Sequence, residues 1–165
     1  MRKVTLAALL ALAVPAAAFA DDTPSPTDVA QAACKSEKAQ MGTRTFKATY
    51  AASTAFAATT ACVAKRDGGA ETALKNAAKA CKAERAADPA AFTTKYGTNK
   101  NGKNAYGKCV SATARGATEQ QTTARANAAK ACKKLKAKQK ADFESVYGTK
   151  KNAFGKCVSK TAEIL

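Results

Sequence analysis

Histidine and tryptophan are both absent from this sequence of 165 residues. Without an imidazole group, the chain can form no Ser-His-Asp or Cys-His catalytic group and no histidine-ligated zinc site. The phosphate-binding patterns G-x-x-x-x-G-K-[ST] and G-x-G-x-x-G are missing as well. We therefore expect a protein that is not an enzyme, with no catalytic residues, no cofactor and no metal centre.

The first 20 residues have the pattern of a secretory signal peptide. Arg2 and Lys3 form a short basic start, an apolar stretch follows, and Ala18-Phe19-Ala20 is an A-x-A cleavage site. We expect cleavage after Ala20, then a Pro-rich linker over residues 21–27. No later segment is apolar for long enough to cross a membrane, which predicts a secreted protein, extracellular or at the cell envelope.

Large apolar side chains are scarce after residue 20. The remaining 145 residues contain only 19 Val, Ile, Leu, Met, Phe and Tyr, against 26 basic and 12 acidic side chains with a formal net charge of +14. Such a composition normally predicts disorder. Two features favour order instead: the whole chain contains 43 alanines, the best helix formers, and six cysteines that an oxidising compartment would pair.

The chain contains three internal repeats. Asn76-Ala-Ala-Lys-Ala-Cys-Lys82 recurs at residues 127–133, and Asn104-Ala-Tyr-Gly-Lys-Cys-Val-Ser111 recurs with one change at residues 152–159. A first copy around Cys34 and Cys62 is divergent. We predict a first unit over residues 28–66, a second over 70–115 and a third over 117–165, separated by Asp67-Gly68-Gly69 and by Gly116.

Each unit contains one pair of cysteines, which favours pairing within the units. Six cysteines allow 15 connectivities, so this assignment depends on the periodicity alone. Metal ligation would need close cysteine pairs such as C-x2-C, and a redox motif would need C-x-x-C; the chain has neither. The predicted disulfides are Cys34–Cys62, Cys81–Cys109 and Cys132–Cys157.

The local signals predict an all-α fold of three tandem, disulfide-pinned helical hairpins. A straight hairpin would hold Cys132 and Cys157 at different heights, because Cys132 lies roughly 22 Å of helix before Tyr147 whereas Cys157 lies only roughly 8 Å after Asn152. Disulfide geometry requires Cα atoms within about 7 Å. We therefore predict that the first helix of a unit breaks: at Asp88-Pro89 in the second unit, followed by a short helix to Tyr96, and less distinctly near Asp142 in the third.

Glycine and asparagine mark the turn of each unit. Gly97 and Gly148 follow a tyrosine where a left-handed helix cap is expected. Asn104 and Asn152 are predicted to cap the returning helices.

Two groups of polar and aromatic residues allow a functional or a structural interpretation. Glu84 and Asp88, four residues apart, have the spacing of a general acid and base, but a solvated helix face is favoured because the other copies lack the pair. The aromatics near the basic turns could stack on bases or sugars; a core role is favoured because the chain has so few large apolar residues. These aromatics are Tyr96, Tyr106, Tyr147 and Phe154.

The excess of lysine predicts attraction to polyanions. Candidate contacts are exposed lysines near the turns and on the third unit: Lys100, Lys103, Lys133, Lys134, Lys150 and Lys151. The partner would be an anionic cell-envelope polymer or another polyanion, including nucleic acid bound without sequence specificity. The alternative function is binding of a specific protein partner, as an inhibitor or toxin-like factor, which predicts an exposed apolar patch. Hydrolysis of envelope polymers would require converging carboxylates.

The repeated segments Ala-x-Lys-Ala-Cys-Lys, Tyr-Gly-Thr and Asn-Ala-Phe-Gly-Lys-Cys-Val-Ser resemble short cysteine-paired helical repeats of exported proteins from high-GC bacteria. The resemblance covers most of residues 70–165. It implies an exported helical protein and no known activity.

Overall fold

A computed structural model describes residues 23–164, so the predicted signal peptide over residues 1–20 lies outside the described residues. All regular structure from residue 23 to residue 164 is α-helical, as the sequence predicts. The seven helices in this range are α1 (Pro26–Met41), α2 (Thr43–Thr49), α3 (Ala55–Ala87), α4 (Pro89–Tyr96), α5 (Ala105–Lys138), α6 (Lys140–Tyr147) and α7 (Ala153–Ala162).

Three disulfides join the helices α1, α3, α5 and α7 in succession. Cys34–Cys62 links α1 to α3, Cys81–Cys109 links α3 to α5, and Cys132–Cys157 links α5 to α7, with a Cα–Cα distance of 6.0 Å in each. These are the three pairs that the repeats predict.

A short helix lies along the chain between the two helices that each disulfide joins: α2, α4 and α6 in turn. In the second unit the Asp88 side chain accepts hydrogen bonds from the amides of Ala90 and Ala91, and Pro89 begins α4. This is the break that the sequence predicts. In the third unit α5 ends at Lys138 and α6 begins at Lys140, so the break occurs there too although no proline is present.

The glycines between the predicted units do not interrupt a helix. α3 runs for 33 residues through Gly68 and Gly69, and α5 runs for 34 residues through Gly116. A Cβ atom added at any of these three positions would meet nothing within 4 Å. Glycine inside a helix costs only about 1 kcal/mol, which packing along the remaining length offsets. Each of α3 and α5 therefore contributes to two disulfide-linked pairs.

The turns differ from the expected caps. Gly97 has φ −73°, so it is not left-handed, whereas Gly148 has φ +85°. Asn104 makes no cap bond to α5; its Oδ1 accepts from the amide of Thr98, and its Nδ2 donates to the Thr98 hydroxyl. Asn152 also makes no cap bond.

The N-terminal end of α1 lies earlier than the predicted boundary of the linker. Ser25 and Asp28 form a capping box, so Pro26, predicted to belong to the linker, is the first residue of α1.

The long helices α1, α3 and α5 all pack against one another, and α7 packs on α5 and α2. α3 and α5 are antiparallel, because Cys81 pairs with Cys109 while Arg66 and Arg125 both contact Glu37 of α1. The turn around α4 therefore lies at one end of the molecule, and α6 lies at the opposite end of α5.

The core consists of alanine, disulfides and a few aromatic rings. Phe46, Phe92 and Phe143 are buried, and each packs against the tyrosine four residues later with ring centroids 4.9, 4.9 and 5.2 Å apart. The interpretation of these rings as core residues agrees with this packing. Phe56 is the exception among the described phenylalanines, with 83% of its surface exposed.

Candidate functional site

The six candidate lysines are all exposed, but they do not form one site. Lys100 and Lys103 lie in the turn between α4 and α5, and are called here the α4-end lysines. The other four lie on the last turns of α5 and in the turn between α6 and α7, and are called the α6-end lysines: Lys133, Lys134, Lys150 and Lys151. From Ala105 to Lys134 the helix rises about 44 Å, so the two groups are at opposite ends of α5.

Few of the basic side chains are compensated by carboxylates. Residues 23–164 contain 26 basic and 10 acidic residues, and ion pairs within this range engage Arg66, Lys75, Lys95, Arg125 and Lys140. None of the six candidate lysines forms an ion pair with a described residue. The surface at both ends of α5 therefore has an excess of positive charge.

Glu84 and Asp88, the candidate acid and base, have structural contacts. The Glu84 carboxylate accepts hydrogen bonds from the Lys95 ammonium at 2.8 Å and from the Tyr96 hydroxyl at 3.1 Å. The hydrogen bond from Lys95 is the largest cause that lowers the pKa of Glu84, and Tyr96 adds to it. Asp88 caps α4. The structure thus places Glu84 near the end of α3 and Asp88 at the junction with α4, and directs the two carboxylates to different partners.

The aromatics near the basic turns are also engaged within the protein. Tyr106 donates its hydroxyl proton to the carbonyl oxygen of Ala78, Tyr96 donates to Glu84, and Phe154 is buried. Tyr147 packs on Phe143.

A buried charged cluster joins the three central helices, and sequence analysis did not identify it. Glu37 of α1 is fully buried. Its carboxylate accepts hydrogen bonds from Arg66 of α3, from Nε of Arg125 of α5 at 3.1 Å and from the Tyr50 hydroxyl at 3.0 Å. Arg125 also donates to the Tyr50 oxygen at 3.3 Å. We call these four residues the Glu37 cluster.

The electrostatics of the Glu37 cluster favour a neutral Tyr50 phenol and a charged Arg125 guanidinium group. Burial is the main cause that raises the pKa of Tyr50, and the nearby Glu37 carboxylate adds to it. Burial opposes the charge of Arg125, but Glu37 and Tyr50 outweigh that effect and raise its pKa. One carboxylate therefore faces two guanidinium groups, which leaves one positive charge in excess.

Comparison of the repeats shows where this cluster arises. Glu37 follows Cys34 by three residues, as Glu84 follows Cys81, but the third unit has Leu135 at this position. Arg66 follows Cys62 by four residues, where the other units have Thr113 and Thr161. The first unit thus differs from the others in residues that form the buried charged cluster. The arginine at position 66, where the other units have threonine, was the sequence signal that could have revealed the cluster.

Neither a cluster of metal ligands nor a membrane-spanning helix occurs among residues 23–164. This range contains no group of three or more potential metal ligands among Cys, Asp and Glu. Within the same range, no helix combines the length and the hydropathy that crossing a membrane would require.

The fold and the paired cysteines define a class of protein: an all-α chain in which three disulfides join α1, α3, α5 and α7 in succession, with lysine-rich ends. Comparison with protein-family models, with curated proteins and with solved structures finds no match to this chain.

Proposed function

We propose that this protein is exported and binds extended polyanions through the lysines at the two ends of α5, without catalysing a reaction. The observation that carries the proposal is the excess of exposed lysines without a carboxylate partner at these ends. Three disulfides support an oxidising location, because such bonds persist outside the cytosol.

The separation of the two lysine groups favours an extended ligand. About 44 Å of helix divides them, so a small anion can neutralise only one end. A flexible polyanion that is long enough to reach both ends would gain from effective concentration, since the second contact becomes intramolecular. An anionic envelope polymer has this form; nucleic acid has it too and would bind without sequence specificity.

The test compares tripolyphosphate with long-chain polyphosphate over a range of salt concentrations. Long-chain polyphosphate should bind more tightly per molecule, and the logarithm of its association constant should fall steeply with the logarithm of salt. Replacing the α4-end lysines by glutamine should weaken long-chain binding by about tenfold, with a much smaller effect on tripolyphosphate.

The matched control is Lys35→Gln with Lys79→Gln, two exposed lysines outside both groups. This variant removes the same charge and should weaken long-chain binding much less. Equal affinity for short and long chains, an equal effect of the control variant, or binding that does not depend on salt would each contradict the proposal.

A second candidate function is recognition of one protein partner, favoured by the exposure of Phe56. This ring is 83% exposed, and it borders a groove of about 490 Å³ between α1 and α3 that also includes Thr27, Thr60 and Val63. An exposed aromatic beside a groove is typical of interface anchors. Phe56→Ser should abolish cross-linking to a single envelope protein, whereas Val146→Ser, at a site that is 61% exposed, should preserve it.

A further inference from the structure

We infer that the cleft between α3, α5 and α7 is a binding site for a small, singly charged carboxylate that also bears hydroxyl groups, such as a sugar acid. The cleft is open to solvent, has a volume of about 620 Å³ and includes Arg125 of the Glu37 cluster. The inference does not depend on the proposed polyanion binding, because none of the six candidate lysines lines this cleft.

The hydrogen bonds of Arg125 leave one nitrogen of its guanidinium group available to a ligand. Its Nε donates to Glu37 and its Nη2 donates to Tyr50, so Nη1 makes no bond to a described residue. Among residues 23–164 no buried side-chain nitrogen or oxygen atom lacks a partner, so this Nη1 retains access to solvent. A guanidinium group held by two fixed bonds is preorganised to bind a carboxylate.

The charged side chains around the cleft have a net positive charge. Lys65 of α3 also lines the cleft, and the Lys65 ammonium and the Arg125 guanidinium lie 5.9 and 5.6 Å from the Tyr50 ring centroid. The Glu37 carboxylate compensates Arg66, and Glu163 in the cleft wall compensates one further charge. One positive charge remains, so a ligand with one negative charge fits better than a polyanion, which Glu163 would repel.

Uncharged polar side chains also line the cleft. Gln120 and Gln121 of α5 and Ser159 of α7 line the same cleft. Amide side chains both donate and accept hydrogen bonds, and hydroxyl groups do the same. These residues suit a ligand rich in hydroxyl groups, and the Glu163 carboxylate can accept a hydrogen bond from one of those hydroxyl groups.

The test is calorimetric titration with sodium glucuronate at about 0.15 M salt, where exposed charges are largely screened beyond about 8 Å. Glucose supplies the hydroxyl groups without the charge, and acetate supplies the charge without the hydroxyl groups. Glucuronate should bind at least about tenfold more tightly than either, because one charged hydrogen bond corresponds to about that factor. In the amide NMR spectrum, glucuronate should shift the signals of Gln121 and Ser159.

Lys65→Gln should weaken glucuronate binding by about tenfold, and Lys79→Gln, an exposed lysine on the same helix, should change it by less than about twofold. Both lysines are exposed, so neither variant disturbs the core, and NMR mapping on the unchanged protein gives a second readout. The inference is overturned if glucuronate up to about 10 mM produces no binding, if acetate binds as tightly, if Lys79→Gln weakens binding equally, or if the shifts fall outside the cleft.

Discussion

Glu37 is a buried carboxylate that pairs with two guanidinium groups. It is fully buried and receives hydrogen bonds from Arg66, Arg125 and Tyr50. Glu37→Gln would leave two guanidinium groups without a counter-charge, so we expect the free energy of unfolding to fall by about 3 to 5 kcal/mol. Denaturant titration measures this. The control Glu71→Gln breaks the exposed pair with Lys75 and should cost less than about 1 kcal/mol; equal costs would contradict the prediction.

A companion variant separates the cost of the broken pair from the contribution of the intact cluster. Glu37→Leu and Arg66→Thr introduce the residues of the third unit at equivalent positions. Arg125→Leu introduces the equivalent residue of the second unit, Leu74, which precedes Cys81 by seven residues as Arg125 precedes Cys132. Tyr50→Phe removes the hydroxyl that these changes leave unpaired. Because a whole buried ion pair can often be replaced by apolar residues at little cost, we expect this variant to be more stable than Glu37→Gln.

The buried Tyr50 phenol predicts a loss of stability at alkaline pH. Burial raises its pKa above the ordinary value of a tyrosine, about 10, so above about pH 10 the folded state retains a proton that the unfolded state releases. The contribution of this group is complete below pH 10 and is lost as pH rises through the folded pKa. Tyr50→Phe should therefore reduce the alkaline slope of the free energy of unfolding, measured by denaturant titration from pH 9 to pH 12. An unchanged slope would contradict the prediction.

At the scale of the helices, Gly155 marks a close approach between α7 and α2. A Cβ atom added there would lie 2.2 Å from the carbonyl oxygen of Thr49, so α7 could not keep its contact with α2. We expect Gly155→Ala to lower the free energy of unfolding by about 1 to 3 kcal/mol. Gly116→Ala, in the middle of α5 where nothing lies within 4 Å, should raise it by about 0.5 to 1 kcal/mol. Thermal unfolding of both variants measures the contrast, and two changes of the same sign would contradict it.

The helices show how far the sequence could predict the fold. The disulfide pairs and the break at Asp88-Pro89 were predictable, because periodicity and disulfide geometry restrict them strongly. The continuity of α3 through Gly68 and Gly69 was not, because a local glycine preference is weaker than packing along the whole helix. The Glu37 cluster was not predictable either, since it combines residues up to 88 positions apart.

At the scale of the whole molecule, the second disulfide holds an end that few elements stabilise. The core around Cys81 and Cys109 consists of residues from α3, α4 and α5, whereas α1 also packs against α3 and α5, and the Glu37 cluster joins these three helices. Under the chain-entropy model each bridge contributes about 3 to 4 kcal/mol. We expect Cys81→Ala with Cys109→Ala to increase hydrogen exchange mainly in α4 and the adjacent ends of α3 and α5.

The matched variant is Cys132→Ala with Cys157→Ala, which should increase exchange mainly in α6 and α7. Local opening of this kind is expected where cooperative units differ in stability. A uniform increase over all helices in both variants would show that the molecule opens only as one unit.

The continuity of α3 and α5 also fixes the rotational phase between neighbouring disulfides. An α-helix turns about 100° per residue. Cys62 and Cys81 are 19 residues apart on α3, which amounts to five full turns and about 100°. Inserting one residue between them would swing the second crosslink about another 100° around the axis. We therefore expect substitutions between Cys62 and Cys81 to be tolerated far more readily than the insertion or deletion of a residue.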